Sequence, residues 1–366
     1  MKFTLKYVLA LLVVFLMHFS LSAQQPQPVT LQLKWKHQFQ FAGYYAAIEK
    51  GYYQEMGFQV SLLEAIEGQN PSDAVFSGKA EFEICSSDII LMRAEGKDAV
   101  VLATIFQHSP QILLGSQKSG INHVHNLVGK RIAMEPNAAD IIAYMNNEGI
   151  SLDQCIIDQH TFDVNGLLNG TMEAISAYST DEPFLLDKAK FDYTIIAPVM
   201  GGIDFYGDML FTTATFINDN PLLVKNFREA TIKGWDYAMD NPEEIIDLIY
   251  SQYSKRHTVD HLWFEAAQMQ KLVMKDVVEI GYTNPGRWKS IIDTYKRLNM
   301  LDAPFTNAGL LYSDYFQQGI VIPWRLVLIF LMMVWGCQKR VLKNYSDWMK
   351  TSRPPEQIRN REPAWA

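Results

Sequence analysis

The segment from Thr30 to Tyr53 changes from a strand pattern to a helix pattern within one short loop, and no other feature constrains the fold as much. Apolar side chains alternate with polar ones over residues 31–35, which is typical of a half-buried strand. From Phe41, small and apolar residues recur at helical spacing until Gly51 supplies a helix stop. The sequence therefore predicts a strand that leads through a loop into the amino end of a helix.

Ligands of open α/β sheets bind beside such loops, outside the carboxyl ends of the strands. The aromatic and imidazole side chains of this loop are therefore candidates for a ligand pocket, namely Trp35, His37, Phe41 and Tyr44. A place in the core explains Phe41 equally well. Trp35, at the end of the strand, is the strongest candidate of the four.

The alternation of strands and helices continues along the chain and predicts an α/β fold. Strands are predicted at 58–63, 82–85, 99–105, 111–115, 131–134, 155–157, 173–178, 194–198 and 209–213. The pattern restarts after residue 127, which indicates a second lobe. Lobe 1 is predicted to comprise residues 29–112 and 212–312, and lobe 2 residues 113–211. Chain crossings near Gln111–Gln117 and Met209–Thr213 predict a two-strand hinge that lets the lobes close.

Polar and aromatic side chains follow several of these strands. Ser86, Ser87 and Asp88 follow the strand at 82–85, where they could hold a polar ligand or simply cap the next helix. The remaining candidates for ligand contact are Gln107, Tyr178, Asp181, Glu182, Tyr206 and Asp208.

Both ends of the chain carry apolar segments. Residues 1–23 have the charged start, apolar centre and small cleavage-site residues of a secretory signal peptide. Residues 319–338 are predicted to form a transmembrane helix, because an apolar run is flanked by tryptophans and followed by basic residues. The tail, 339–366, is then cytoplasmic, and the domain before the span lies on the periplasmic face of the inner membrane.

Charge and cysteine content exclude some classes of protein. The net charge of -8 and the lack of a basic block argue against a nucleic-acid partner. Three cysteines are too few for a disulfide framework, so Cys85 and Cys155 are predicted to be buried thiols. His257 and His261 have the spacing of a metal pair, but no third ligand is in reach by sequence, which favours surface histidines and no metal site.

Five segments closely resemble the SsuA/THI5-like (NMT1) branch of the type II periplasmic solute-binding proteins, over about residues 29–311. They are KWKHQFQFAGYYAAIEKGYYQEMG, SSDIILMRAEGKDAVVLATIFQHSP, YSTDEPF, GIDFYGDMLFT and VEIGYTNPGRW. The resemblance implies a ligand held between two lobes. It places Trp35, the Ser86–Asp88 strand end, Tyr178 and Glu182 where pyrimidine-binding relatives line the cleft.

The chemistry of these residues agrees with that expectation. Rings of Trp35 and Tyr178 could stack on a flat heterocycle, and Glu182 could accept two hydrogen bonds from an aminopyrimidine edge. Nearby aspartates, without an arginine in these loops, favour an amine-bearing ligand over a sulfonate. We therefore expect a membrane-anchored extracytoplasmic protein that captures a small molecule, plausibly a thiamine-related aminopyrimidine, without a cofactor. Its partners would be the membrane and either an ABC permease or a separate signalling protein.

The alternative is an enzyme, because the family name also covers the thiamine pyrimidine synthase. That enzyme consumes pyridoxal phosphate and one of its own histidines, and the fungal forms bind iron through a cysteine-rich cluster that this sequence lacks. Lys34 or Lys36 would have to hold pyridoxal phosphate as a Schiff base, and a solvent-exposed lysine is the commoner interpretation of either. Pyridoxal phosphate and iron are expected only under this alternative.

Overall fold

A computed structural model describes residues 25–136, 138–161, 163–302 and 304–316 of the chain. The described strands form two five-stranded sheets, each of mixed direction. The predicted signal peptide, the predicted transmembrane helix and the cytoplasmic tail lie outside the described residues.

The first sheet contains four strands from the amino-terminal part of the chain and one that returns later. Its strands are β1 (Gln27–Gln32), β2 (Phe58–Leu63), β3 (Phe82–Cys85), β4 (Ala99–Thr104) and β10 (Met209–Thr213). Their order is β2-β1-β3-β10-β4, with β1 parallel to β2 and β3, and β10 antiparallel to both of its neighbours. The carboxyl ends of β1 and β3 therefore lie at the same edge.

The second sheet repeats this arrangement with the strands between β4 and β10. They are β5 (Gln111–Ser116), β6 (Arg131–Met134), β7 (Ile156–Gln159), β8 (Ala174–Tyr178) and β9 (Tyr193–Ile196). Their order is β7-β6-β8-β5-β9, with β6 parallel to β7 and β8 and with β5 antiparallel to β8 and β9. The predicted starts and ends of β2 to β10 differ from the observed ones by at most two residues. The strand predicted at 31–35 is wrong in its bounds, because β1 already ends at Gln32 and Lys34 and Trp35 lie in the loop after it.

Helices connect the strands and cover the sheets. The described α-helices are Ala42–Glu49, Tyr52–Glu55, Asp73–Phe76, Ile89–Ala94, Ala139–Asn147, Asn165–Asn169, Glu182–Lys188, Ala214–Asp219, Pro221–Asp240, Pro242–Leu248, Val259–Val273, Pro285–Arg297 and Ser313–Phe316. Among the described residues, no helix combines the length and the hydrophobicity that crossing a bilayer requires.

Two chain segments run between the sheets, and they are hydrogen-bonded to each other. Ile105 N and Phe106 N donate to the carbonyl of Asp208 at 2.9 and 3.1 Å, and Gly207 N donates to the carbonyl of Phe106 at 3.1 Å. The predicted crossings at Gln111–Gln117 and Met209–Thr213 are placed slightly too late, because β5 and β10 each lie wholly inside one sheet. The predicted lobe boundaries stay a prediction.

The core beneath the first sheet depends on a close approach of two helices. A Cβ atom on Gly234 would lie 2.2 Å from the carbonyl oxygen of Gly43, so only glycine fits where helix 221–240 crosses helix 42–49. Trp235 fills the space beside this crossing and makes an edge contact with Tyr44 at 5.7 Å. Cys85 and Cys155 are free thiols; Cys85 is buried as predicted, whereas Cys155 is only half-buried.

Candidate functional site

A small cavity, with about 220 Å³ of empty space that includes space open to solvent, lies between loops that follow strands of both sheets. Loops after β1 contribute from the first sheet, and loops after β6 and β8 contribute from the second. The lining residues are Lys34, Trp35, Gln38, Gln40, Glu135, Tyr178, Asp181 and Glu182. This is the position that the topology of α/β sheets favours for a ligand.

Lys34 forms the centre of a buried polar network on one side of the cavity. Its Nζ donates to Ser86 Oγ at 2.5 Å and to the Tyr178 hydroxyl at 2.6 Å, and it lies 3.6 Å from Asp208 Oδ1. The Tyr178 hydroxyl donates in turn to Asp208 Oδ1 at 3.1 Å, while Gln40 Nε2 donates to Asp208 Oδ2 at 2.6 Å. The network thus joins the ends of β1 and β3 to the end of β8 in the other sheet.

The surroundings keep Lys34 positively charged. Burial by itself would lower the pKa of the ammonium group, but Tyr178 and the carboxylates of Asp208 and Asp88 act the other way and raise the pKa well above its ordinary value. The expectation that Lys34 is a solvent-exposed lysine is therefore wrong. Its side chain is only 4% exposed, because it points from the end of β1 towards the second sheet rather than towards solvent.

Two aromatic residues form walls of the cavity. Trp35 is 7% exposed, and its ring lies 5.3 Å from the His160 ring at an interplanar angle of 52°. Tyr178 contributes its ring as well as its hydroxyl, with Lys34 Nζ 5.2 Å from the ring centroid. Burial lowers the pKa of His160 to about 4, so the imidazole behind Trp35 is neutral at physiological pH. A flat ligand can contact both aromatic surfaces.

Three carboxyl groups face the same space. Burial raises the pKa of Glu135 to about 7. For Glu182, burial comes first and the neighbouring carboxyl of Asp181 second, and together they raise the pKa well above the ordinary range. Glu182 Oε2 accepts a hydrogen bond from the Tyr178 amide at 2.8 Å, which fixes the carboxyl group beside the aromatic wall. The cavity therefore offers carboxyl groups that can donate or accept hydrogen bonds.

Asp181 also belongs to a second cluster, formed with the start of helix 259–273. Asp181 Oδ1 lies 2.9 Å from His261 Nε2 and 3.6 Å from His257 Nε2, and Glu265 lies one turn beyond His261. The expectation of surface histidines is wrong, since His257 and His261 are 4% and 1% exposed. Third and fourth side chains of ligand type are present. Asp181 comes from a distant part of the sequence, so spacing could not reveal it, whereas Glu265 lies four residues after His261 and could have been found from the helical spacing.

Other predicted ligand contacts lie directly behind the cavity wall. Ser86 and Asp208 bind Lys34, as described above. Asp88 Oδ1 accepts from the Ser86 amide at 3.0 Å, and burial raises the pKa of Asp88 to about 6. Ser87 Oγ donates to Asp140 Oδ1 at 2.5 Å. These four residues shape the site without lining it.

The remaining predicted contacts do not line the cavity. Phe41, which directly precedes helix 42–49, and Tyr44, whose ring packs on Trp235, are core residues with 0% and 1% exposure. His37 Nδ1 contacts the Tyr45 hydroxyl at 2.9 Å, and Gln107 Nε2 donates to the Tyr282 carbonyl at 3.1 Å. The Tyr206 hydroxyl accepts from the Asn284 amide at 3.0 Å.

Sequence reasoning missed four of the lining residues, Lys34, Gln38, Gln40 and Glu135. Glu135 directly follows β6, just as Ser86 follows β3, so the rule applied to other strand ends would have found it. Gln38 and Gln40 belong to the loop after β1 and are buried at 1% and 3% exposure. The sequence of a polar loop does not by itself show which of its glutamines are buried and which are in contact with solvent.

The two mixed sheets and the paired crossings between them are those of the periplasmic-binding-protein fold. A solved structure with the same fold is that of the alkanesulfonate-binding protein SsuA from Xanthomonas axonopodis pv. citri bound to MOPS. It matches with a TM-score of 0.61 and 11% identity, over 79% of this chain and 99% of that chain. Identity this low supports the fold and not the ligand.

Sequence comparison identifies the family. The model of the family "NMT1/THI5 like" matches residues 38–245, more than half of the chain, and the chain belongs to this family. The recognition of this family from the sequence is thereby confirmed.

Three curated proteins are similar to the chain. Riboflavin-binding protein RibY of Chloroflexus aurantiacus is 21% identical over 76% of this chain and 83% of its own length. The formylaminopyrimidine-binding protein of Halalkalibacterium halodurans is 20% identical over 61% of this chain and 70% of its own. The 4-amino-5-hydroxymethyl-2-methylpyrimidine phosphate synthase of Legionella pneumophila is 22% identical over 60% and 72%, respectively.

Proposed function

We propose that this chain is a solute-binding protein for a small, flat, amine-bearing heterocycle of the pyrimidine class. The observation that carries the proposal is the placement of Trp35, Tyr178 and Glu182 on one buried cavity between the sheets. Aromatic walls favour a planar ring, and a carboxyl group at the edge of that ring recognises nitrogen substituents. Two of the similar proteins carry names that refer to flat nitrogen heterocycles, which agrees with this chemistry.

Glu182 suits an aminopyrimidine in either protonation state. A neutral carboxyl group donates its O–H to a ring nitrogen and accepts from the adjacent amino group, whereas a carboxylate accepts from an amino group and a protonated ring nitrogen. The raised pKa of Glu182 favours the neutral form in the unliganded cavity. A sulfonate offers no donor to such a group.

The groups around the cavity also disfavour an anionic ligand. Of the three lining carboxyl groups, Asp181 keeps its negative charge because its pKa is lowered, whereas burial raises the pKa of Glu135 and Glu182. Lys34 is the one basic residue among the described lining residues. The ammonium group of Lys34 is already engaged by Ser86, Tyr178 and Asp208. No arginine is among the described lining residues, so the bidentate clamp that suits sulfonates and phosphates is not offered there.

The tightness of the cavity favours a small ligand. Its eight lining residues enclose only a small space, part of which is open to solvent. A one-ring heterocycle with short substituents fits this space better than a three-ring system with a polyol chain. We therefore favour a pyrimidine over a flavin.

The enzymatic alternative has less support from the site. A Schiff base with pyridoxal phosphate requires a neutral amine, and the carboxylates around Lys34 hold its pKa well above the ordinary value. The described lining residues also offer no arginine for the phosphate group. These residues do not fit pyridoxal phosphate, and we propose that the chain acts as a binding protein rather than as a synthase.

The place of action is proposed from the sequence alone. An amino-terminal signal peptide and an apolar segment at 319–338 support a protein that is exported and then tethered on the periplasmic face of the inner membrane. Closure on the ligand would then be passed to an ABC permease or to a separate signalling protein. Co-purification of such a membrane partner with the full-length chain from crosslinked cells tests this part.

A thermal-shift comparison of ligand classes tests the proposed function. Formylaminopyrimidine, riboflavin and the sulfonate MOPS are added separately to the purified full-length chain. We expect formylaminopyrimidine to raise the melting temperature, since a ligand at 100 times its Kd stabilises by about 2.7 kcal/mol. Stabilisation by MOPS alone, or by none of the three, would overturn the proposal, and stabilisation by riboflavin alone would refute the pyrimidine assignment.

A further inference from the structure

Four side chains that can bind a metal meet beside the cavity. Of these, only Asp181 also lines the cavity of the proposed heterocycle. The four are Asp181, His257, His261 and Glu265, and one ligand atom from each lies within 4.8 Å of the others. All four are at least 96% buried. Two imidazoles and two carboxylates make up a donor set that suits a divalent transition-metal cation such as Zn²⁺.

Several of these buried atoms have no hydrogen-bond partner among the described residues. They are both carboxylate oxygens of Asp181, His257 Nδ1 and Glu265 Oε1. His261 Nε2 lies 2.9 Å from Asp181 Oδ1 and 3.2 Å from the Asp181 backbone carbonyl, so this one ring nitrogen is shared between two oxygens. Buried charged oxygens without partners are costly, and a bound cation removes that cost.

Helix 259–273 places His261 and Glu265 before any metal binds, and His257 directly precedes the helix cap Thr258. Thr258 caps helix 259–273 by accepting from the His261 amide at 3.3 Å, and His261 and Glu265 are four residues apart on the same helix face. The Phe39 amide donates to Glu265 Oε2 at 2.7 Å, which orients the carboxylate and leaves Oε1 for a ligand. Such second contacts are typical around metal ligands.

Distance and charge are compatible with a four-coordinate ion. Ligand atoms about 2.0–2.1 Å from a tetrahedral zinc lie about 3.4 Å apart, so the present separations need side-chain movements of about 1 Å. As metal ligands, both carboxyl groups are deprotonated and together carry two negative charges. Arg256 offsets one of them from the edge of the cluster, where it donates to Gln38 Oε1 at 3.1 Å. The centre between the four side chains still favours a cation.

We propose that Asp181, His257, His261 and Glu265 form a binding site for a divalent transition-metal cation, best matched by Zn²⁺, that fastens the two sheets together. Asp181 follows β8 of the second sheet, whereas the other three residues come from the helical region packed on the first. A metal at this point therefore holds the cleft closed. Asp181 also lines the cavity, so metal and ligand binding are coupled.

Metal titration of the full-length chain tests this site without any need to know the organic ligand. The chain is freed of metal with a chelator, and Zn²⁺ uptake is followed by calorimetry. Co²⁺ serves as a second probe, because its visible absorption reports tetrahedral coordination. We expect one Zn²⁺ per chain, an intense Co²⁺ spectrum and a higher melting temperature of the metal-loaded chain.

Matched variants distinguish this site from nonspecific binding of metal by exposed histidines. Glu265→Gln and Asp181→Asn keep the shape of the side chains, and His261→Gln removes one imidazole. We expect each to weaken Zn²⁺ binding at least tenfold. The double variant His123→Gln, His125→Gln alters another close histidine pair, which is exposed, and should leave affinity unchanged.

Folding of the variants is checked by their urea midpoints, and the two isosteric carboxylate variants keep the test valid if His261→Gln fails to fold. Loss of Zn²⁺ uptake in the exposed histidine variant, or unchanged uptake in Glu265→Gln and Asp181→Asn, would overturn the proposal. So would the lack of stoichiometric uptake by the unmodified chain. None of these results depends on whether a pyrimidine binds.

Discussion

Lys34 and Tyr178, 144 positions apart and from different sheets, meet through a hydrogen bond of 2.6 Å between Nζ and the phenol oxygen. Asp208 accepts from the same hydroxyl and lies 3.6 Å from the ammonium group. The contact therefore joins the two lobes beside the cavity through buried polar groups. Buried networks of this kind are sensitive to the loss of any member, because the groups left behind are neither paired nor hydrated.

Removing the charge of Lys34 is expected to destabilise the fold strongly. Lys34→Met leaves Asp208 buried without its cation, and breaking a buried pair in this way costs about 3–5 kcal/mol. Lys36→Met is the matched control, since Lys36 is 30% exposed and lies 3.8 Å from Glu64, and it should cost less than about 1 kcal/mol. Urea unfolding of both variants measures the difference, and equal costs would contradict the account of the network.

Trp35 is expected to supply most of the aromatic contact to the ligand. Loss of a stacked ring should weaken binding roughly tenfold to a hundredfold in Trp35→Ala, about 1.4–2.8 kcal/mol. Trp263→Ala removes a tryptophan that is 42% exposed on helix 259–273 and should leave binding unchanged. Calorimetric titration with the ligand that gives the largest thermal shift compares the two variants. Equal losses of affinity would mean that Trp35 is not a wall of the site.

The stability of the chain should depend on pH through Glu135. Burial raises the pKa of Glu135 to about 7, above the ordinary value of 4.5. Between pH 4.5 and pH 7, the folded chain therefore keeps the Glu135 proton, whereas the unfolded chain releases it. As a result, the contribution of Glu135 to the free energy of unfolding is full below pH 4.5 and declines as the pH rises to 7. The loss is on the order of 3 kcal/mol.

Glu135→Gln tests this linkage, because glutamine has a similar shape and does not titrate. Urea unfolding at several pH values from 4.5 to 8 gives the free energy of unfolding for both chains. The unmodified chain should lose stability relative to Glu135→Gln as pH rises, and the difference should become constant above about pH 7. A difference that does not change with pH would show that Glu135 has an ordinary pKa.

The helix crossing at Gly234 should not accept even a methyl group. Gly234→Ala would place a Cβ atom 2.2 Å from the Gly43 carbonyl oxygen and 2.6 Å from Ala47 Cβ. Overpacking of this kind typically costs about 1–3 kcal/mol, which exceeds the gain of about 1 kcal/mol in helix propensity. Lys233→Ala, an exposed position on the same helix, is the control and should change stability by less than 1 kcal/mol, on the order of a surface ion pair. Thermal unfolding that ranks the two variants in the opposite order would refute the close packing.

Local patterns predicted the strands well because each depends on nearby residues. The strands at 58–63, 82–85, 131–134 and 209–213 have the predicted bounds, since apolar runs and turn residues mark both of their ends. Strand ends also gave Tyr178, Asp181 and Glu182 as candidates, and the structure places all three on the cavity. These residues could be found because the rule for α/β sheets refers to the chain order of strands and loops.

Residues that matter through distant partners could not be found in this way. Lys34 looks like any alternating polar residue until Tyr178 and Asp208 are brought to it by the second sheet and the return strand. His257 and His261 looked like surface residues because Asp181, which meets them, lies about 80 positions away. Phe41 and Tyr44 were candidates for the pocket, but both are buried in the core, and Tyr44 contacts Trp235 of helix 221–240, whose position no local pattern reveals.

Calorimetric titration tests the central claim most directly. The unmodified full-length chain is titrated with formylaminopyrimidine and, separately, with MOPS, and the Glu182→Gln variant is titrated with formylaminopyrimidine. We predict one binding site per chain, at least tenfold weaker binding by the variant, and no heat from MOPS. Binding of MOPS but not of formylaminopyrimidine, or equal affinity in Glu182→Gln, would contradict the assignment of this cavity to an amine-bearing heterocycle.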